Sequence, residues 1–185
     1  MKVVAFGHRR RVGKDTAVNF LTTILRHKNT GLNIHKVSFA YELKVTAHNL
    51  YGWAGLEGPE FYERPENATA KETILPELGK SPRTIWIELG NKCREVYPLT
   101  WIDLALRLEG YDILLISDLR YPNEADRVIE LGGQSIKIVK DDVPKFDDPA
   151  DRALKDYDKW SGIWQNNGTL NDFHAQCLEF AETLI

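Results

Sequence analysis

Residues Val12-Gly13-Lys14-Asp15-Thr16 lie between the apolar run Val3-Val4-Ala5-Phe6 and a segment whose apolar positions share one helical face (Ala17, Phe20, Leu21, Ile24, Leu25). A buried strand, a glycine turn and a helix in that order make a phosphate-binding loop. Backbone N–H groups turn inward around phosphate oxygens, the positive end of a helix lies beneath the anion, and a lysine adds a point charge. This layout expects Arg11, Val12, Gly13, Lys14, Asp15 and Thr16 to line the anion, with Lys14 open to ligand. A solvated lysine in an ordinary tight turn would need neither the strand nor the helix.

The loop departs from the usual spacing in two places. Four residues normally separate its two glycines. Here five separate Gly7 from Gly13, and the usual first glycine falls on His8. Either the loop is one residue longer, or His8 occupies the glycine position and is strained if its φ is positive. The second departure is Asp15, where Ser or Thr usually meets Mg²⁺. A carboxylate is also a hard oxygen ligand, so the site changes its ligand without being lost. Arg9, Arg10 and Arg11 make the loop basic, as a solvated patch or as a contact to bound phosphate.

A chain of 185 residues suits one α/β domain with a sizeable core. No apolar stretch approaches a membrane span, and Met1-Lys2 runs straight into the first strand, which leaves no room for a signal peptide. Cys93 and Cys177 fall in helical patterns and read as core thiols of a reducing cytoplasm. A net charge of −3 gives no footprint for bulk nucleic-acid binding.

Further strands are expected at Ile34–Phe39, Ile113–Ile116 and Ser135–Val139, with another at Gly162–Trp164. Helices are expected from Ala40 to about Trp53, from Pro82 to Val96, from Thr100 to Leu108, and from Asn123 to Gly132. A final helix is capped by Thr169 with Asp172 three residues on. Residues 54 to 81, rich in Gly, Pro and charge, read as a mobile functional excursion. The alternation implies a mostly parallel sheet with helices on both faces, a three-layer α/β/α arrangement.

Asp118 closes the Ile113–Ile116 strand region. Ligands in open α/β sheets gather at carboxyl strand ends, so Asp118 should face the same pocket as the loop and hold Mg²⁺ or its water. Asp118, Arg120 and Glu124 form the string Asp-x-Arg-x-x-x-Glu. Glu124 also suits the first turn of a helix for dipole reasons alone.

These blocks together resemble the phage-type deoxynucleoside monophosphate kinases. The resemblance rests on Gly-Lys-Asp-Thr, Ser38-Phe39-Ala40 with Leu43-Lys44, and Ser81-Pro82-Arg83 with Leu89-Gly90, Arg94 and Trp101. It continues through Ile116-Ser117-Asp118-Leu119-Arg120-Tyr121-Pro122-Asn123-Glu124-Ala125 and Asn166-Asn167-Gly168-Thr169-Leu170. It implies one P-loop kinase domain with an acceptor region near 41–110 and a lid near 140–160. ATP and Mg²⁺ are the implied cofactors, with Asp15 and Asp118 organising the metal. The implied partner is a small nucleotide acceptor, in a cytoplasm that is the host's if the gene is a phage's. A homodimer stays compatible with it.

On this resemblance Arg120, Arg83 and Arg94 fork onto the acceptor phosphate, Lys44 adds charge, and Glu124 lies beside them. Trp86 and Trp101 either stack a base or fill the core. Lid elements of the family often carry a His-x-Ser-Glu-like string, whereas residues 147–154 here have neither His nor Ser. Arg152, supported by Lys145 and Lys155, is then either the closing arginine or part of a solvated helix. The same fold would also serve a hydroxyl acceptor, such as dephospho-coenzyme A or a modified base in DNA, or a nucleotide-binding switch.

Overall fold

The computed structural model describes residues 1–67, 69–107, 109–144 and 152–185. Lys145 and positions 147–151 of the expected lid lie outside them. In chain order the elements are β1 (Lys2–Gly7), α1 (Lys14–Lys28), β2 (Ile34–Val37), α2 (Phe39–Tyr51), α3 (Pro59–Glu63), α4 (Pro82–Val96) and α5 (Thr100–Leu106). They continue with β3 (Ile113–Leu119), α6 (Pro122–Glu130), β4 (Gln134–Val139), β5 (Gly162–Gln165) and α7 (Leu170–Glu182). The chain divides into two compact units, Met1–Ser38 with Leu108–Ile185, and Phe39–Arg107.

The first unit is built on a five-stranded sheet of order β2-β3-β1-β4-β5 in which every pairing is parallel. Both faces are covered, so the central strands read as continuous apolar runs instead of alternating ones. Val4, Phe6, Ile113, Leu115, Ile136 and Ile138 point to one face. There they pack with Leu21 and Leu25 of α1 and with Phe173 and Cys177 of α7. The intervening residues Val3, Ala5, Leu114 and Ile116 are equally buried on the opposite face, the side of Ala125 and Val128 of α6. The chain leaves β1 toward β2 on one side and returns through β3 to β4 on the other. Right-handed crossovers in opposite directions place α1 and α6 on opposite faces. The result is a three-layer α/β/α fold with a P-loop kinase-like core.

Strand β3 runs three residues beyond the expected apolar run. Its pairing with β1 is regular from Lys2↔Ile113 to Ala5↔Ile116 and then slips to Gly7↔Leu119. Two steps along β1 thus match three along β3, so one extra residue is accommodated at Ser117-Asp118. Such a bulge re-aims side chains that the strand's two-residue period would otherwise fix. The apolar run could not reveal it, because both bulged residues are polar.

Helices dominate the second unit. Ser81 caps α4 by accepting the Thr84 amide at 3.3 Å, with Pro82 in the first turn. Gly90 brings α4 close to α2: a Cβ there would meet Leu43 at 3.1 Å. The indole of Trp101 donates to the Gly90 carbonyl at 3.2 Å and is only 3% exposed, so Trp101 fills the core. The stretch read as a mobile excursion carries buried anchors in its described part. Leu56 and Tyr62 are buried with Ala47 and Ile85, and Phe61, Leu75 and Leu78 pack around them. The apolar anchors spaced between its Gly and Pro residues decide how it packs. Cys177 is a core thiol, pushed up to about 12 by burial, whereas Cys93 is only part-buried.

Gly133 enters β4 where α6 turns back onto the sheet, and a Cβ there would lie 2.9 Å from the backbone oxygens of both Val3 and Val128. Neither backbone can yield without moving β1 or α6. Gly133→Ala is therefore expected to cost about 1–3 kcal/mol, read as a lowered denaturant midpoint at unchanged slope. Gly132→Asn, where a Cβ meets nothing within 4 Å and φ is +76°, should be nearly neutral.

Candidate phosphate site

Gly13 ends the loop at φ +107°, ψ 17° and supplies no capping side chain to α1, whose first i→i+4 bond runs from the Ala17 amide to its carbonyl at 2.9 Å. An uncapped helix start that faces a glycine turn is suited to an anion. Lys14 follows and is 8% exposed. It is therefore not the open lysine expected. Its ammonium lies across the loop, donating to the carbonyls of His8 at 3.2 Å and Arg9 at 2.5 Å. Asp15 and Arg11 are exposed, Thr16 is half-buried, and Val12 is buried, with its side chain in the core.

The spacing ambiguity is settled by geometry. His8 has φ +95° and so takes the conformation usual for the loop's first glycine. Arg11 is also left-handed, at φ +60°. Gly7 is glycine for another reason: a Cβ there would lie 2.6 Å from the ring of Trp160 and 3.0 Å from Leu119. The His8 ring is tied to β4, with Nδ1 3.1 Å from the Ile138 carbonyl. Because a carbonyl only accepts, Nδ1 carries the proton. Burial lowers the His8 pKa to about 4, with Lys137, Arg9 and Lys14 acting in the same direction and the Ile138 bond opposing them.

The register of β1 with β3 places Asp118 beside the start of this loop. Ser38, at the end of β2, donates to Asp118 Oδ2 at 2.8 Å and holds the carboxylate in one orientation. Two residues on, the Arg120 amide donates to Glu124 Oε2 at 2.9 Å, as does the Tyr121 amide at 3.1 Å. Glu124 is 4% exposed and secures the N-terminus of α6 with that oxygen. Its dipole-and-cap role, open in the sequence, is the one these bonds display.

The far edge of the sheet contributes as well. Asn166, just beyond β5, donates through Nδ2 to the Val12 carbonyl at 2.8 Å, while its own amide donates to the Val139 carbonyl at 2.8 Å. Asn167 holds the segment after β4, pairing with the Asp141 amide at 2.9 Å and its carboxylate at 2.7 Å. Arg152 is exposed at the start of a turn whose Lys155 amide donates to its carbonyl at 3.0 Å. Beyond it, Leu154 is buried, and the Tyr157 hydroxyl donates to Asp126 of α6 at 2.9 Å.

Within the second unit, Lys44 lies 3.5 Å from Glu63 and 5.5 Å above the Trp86 ring. Trp86 meets Tyr62 edge-to-face at 5.0 Å, and its buried Nε1 has no hydrogen-bond partner among the described residues. Arg83 donates through Nε to Glu72 at 2.5 Å. Arg94 lies beside Gly90, where a Cβ would meet its guanidinium at 3.4 Å. Lys44, Arg83, Trp86 and Arg94 thus belong to one unit, while Lys14, Asp15, Asp118 and Arg120 belong to the other.

Ser38 and Asn166, quoted in the matching blocks without a site role, and Trp160 are the site residues that motif reading left unassigned. The first two had a legible signal: both follow the carboxyl end of a strand, where ligand sites of open α/β sheets collect. Trp160 had none, since nothing local relates it to Gly7.

Fold and loop together define a P-loop protein of kinase-like architecture. No protein-family model matches the chain. Over 83 residues, 44% of its length, it is 35% identical to a protein of Acanthamoeba polyphaga mimivirus named "Putative deoxynucleotide monophosphate kinase". The match spans 42% of that relative. No helix among the described residues is long and apolar enough to cross a membrane.

The histidine in the loop has a pH consequence. Its folded pKa of about 4 lies below the ordinary 6.5, so the unfolded chain takes up this proton first on acidification. The stability involved is fully present above about pH 6.5 and is lost progressively down to about pH 4. His8→Asn tolerates the left-handed backbone without titrating. Denaturant midpoints of this variant should fall less steeply over that window than those of the parent, and an unchanged acid limb would place the sensitivity elsewhere.

Proposed function

We propose that this protein transfers the γ-phosphoryl group of ATP, with Mg²⁺, to a (deoxy)nucleoside monophosphate, giving the diphosphate. The observation that carries the reading is the pairing of the Lys14 loop with a Ser38-oriented Asp118 on the adjacent strand end. The name of the mimivirus relative supports the acceptor class.

The donor set fits ATP and Mg²⁺ chemically. The loop offers a lysine and an uncapped helix start to phosphate, and Asp15 and Asp118 are hard oxygen ligands for a divalent ion. Asp15 and Asp118 would hold Mg²⁺, which when bound would supply neutralisation of charge on the transferring group. In this reading the Lys14 ammonium, which already lies across the loop, exchanges the His8 and Arg9 carbonyls for donor phosphate oxygens. Arg11, Val12, Gly13 and Thr16 complete the cradle, the first at its exposed crown and the others chiefly through backbone groups. Ser38 holds the carboxylate of Asp118 in one orientation, and that carboxylate is assigned to the metal or its water. Within the second unit Arg83, Arg94 and Lys44 are assigned to phosphate and Trp86 to a base; within the first, Arg120 is assigned to phosphate and Arg152 to closure. No residue need act as a strong base, because the nucleophile is already a phosphate oxygen.

Incubation with ATP, Mg²⁺ and each monophosphate in turn should yield one or a few diphosphates. Lys14→Ala should lower turnover by about 10²-fold or more while retaining the circular dichroism of the fold. Asp15→Ala should lose more activity than Asp15→Ser, which restores the usual hydroxyl. Diphosphate formation undiminished in Lys14→Ala would remove the loop from the chemistry, and ATP binding without transfer to any monophosphate would favour a nucleotide switch.

A further inference from the structure

We infer that Asn166 is a positioning residue of the phosphate loop, one that aims the Gly13 amide; the inference rests on the loop's binding phosphate, as proposed above. Asn166 follows β5, the edge strand, and β4 stands between β5 and β1. Its carboxamide nevertheless reaches the loop, donating to the Val12 carbonyl at 2.8 Å. The same nitrogen lies 2.5 Å from where a Cβ on Gly13 would sit, so the amide covers the Gly13 α-carbon.

The Val12–Gly13 peptide is trans, as are all described peptide bonds. Across a planar trans peptide the C=O and the following N–H point in opposite directions. Drawing the Val12 carbonyl toward Asn166 therefore turns the Gly13 N–H away from Asn166. This orientation is not self-sustaining. Gly13 has no side chain to fix it, and its φ of +107° belongs to a residue with wide backbone freedom. The peptide plane is set from outside, by a residue more than 150 positions away in the chain.

Asn166 is itself immobilised. Its amide donates to Val139, and the next residue, Asn167, is bound on two atoms to Asp141. The carboxamide thus projects from a turn anchored to the end of β4, the strand that also holds His8 through Ile138. An aspartate could not substitute, because its oxygens only accept and would face the Val12 carbonyl oxygen.

The test is calorimetric binding of ATP and of inorganic tripolyphosphate to the parent protein, Asn166→Ala and Asn166→Asp, each with a denaturant midpoint. The expected result is that Asn166→Ala weakens both ligands about tenfold, the scale of one lost positioning hydrogen bond. Asn166→Asp should weaken them further, with midpoints of the two variants alike. Asn166→Ser, whose hydroxyl is too short to reach Val12, should match Asn166→Ala and serves if the alanine variant does not fold. Parental affinity for tripolyphosphate in the alanine or serine variant overturns the inference, whether or not ATP is weakened. A parent protein that binds neither ligand overturns the phosphate-loop reading, and the inference with it.

Discussion

Two residues with side chains, His8 and Arg11, stand in the left-handed region of the same short loop as Gly13. For L-residues that conformation costs about 1–2 kcal/mol each, and it persists only where surrounding contacts overdetermine it. Those contacts come from four directions. Lys14 ties the His8 and Arg9 carbonyls from within, Ile138 holds the His8 ring, Trp160 closes over Gly7, and Asn166 holds Val12. The loop is thus shaped by β4, β5 and the segment before β5 as much as by its own residues. The contacts from Ile138, Trp160 and Asn166 come from outside the loop and hold its shape independently of Lys14.

The adjacent strand end shows the same economy of placement. One extra residue in β3 interrupts its period at Ser117-Asp118, next to the point where β1 gives way to the loop. Ser38 of the neighbouring strand then fixes the carboxylate of Asp118. The carboxyl edge of the sheet therefore gathers Ser38, Asp118, the loop and Asn166 from four different strands. Their convergence follows from the parallel sheet, which puts every carboxyl end on one side.

In the second unit the cations assigned to the acceptor already have carboxylate neighbours, Glu63 for Lys44 and Glu72 for Arg83. These pairs are partly exposed, so solvent screens them and each contributes little to stability. An acceptor phosphate could displace such carboxylates at small cost. Trp86 sits among Lys44 and Tyr62, and its buried Nε1 has no partner among the described residues, a polar group whose burial is otherwise unfavourable.

Local pattern alone determined the fold class, the β1–loop–α1 core and the cap at Thr169. Each of these rests on residues close in sequence, where periodicity and capping rules act. Boundaries that depend on partners were not legible. The extension of β3 to Leu119 needs β1 beside it, and the packing of residues 54 to 81 needs α2 and α4 to receive Leu56 and Tyr62. The burial of Lys14, the left-handed His8 and the commitment of Glu124 to the α6 terminus likewise depend on three-dimensional closure. Gly7 and Asn166 make the distinction plainest. The reason one is glycine and the other asparagine lies in contacts with Trp160 and Val12, each about 150 residues away along the chain, and only tertiary structure brings such residues within a hydrogen bond or a van der Waals radius of one another.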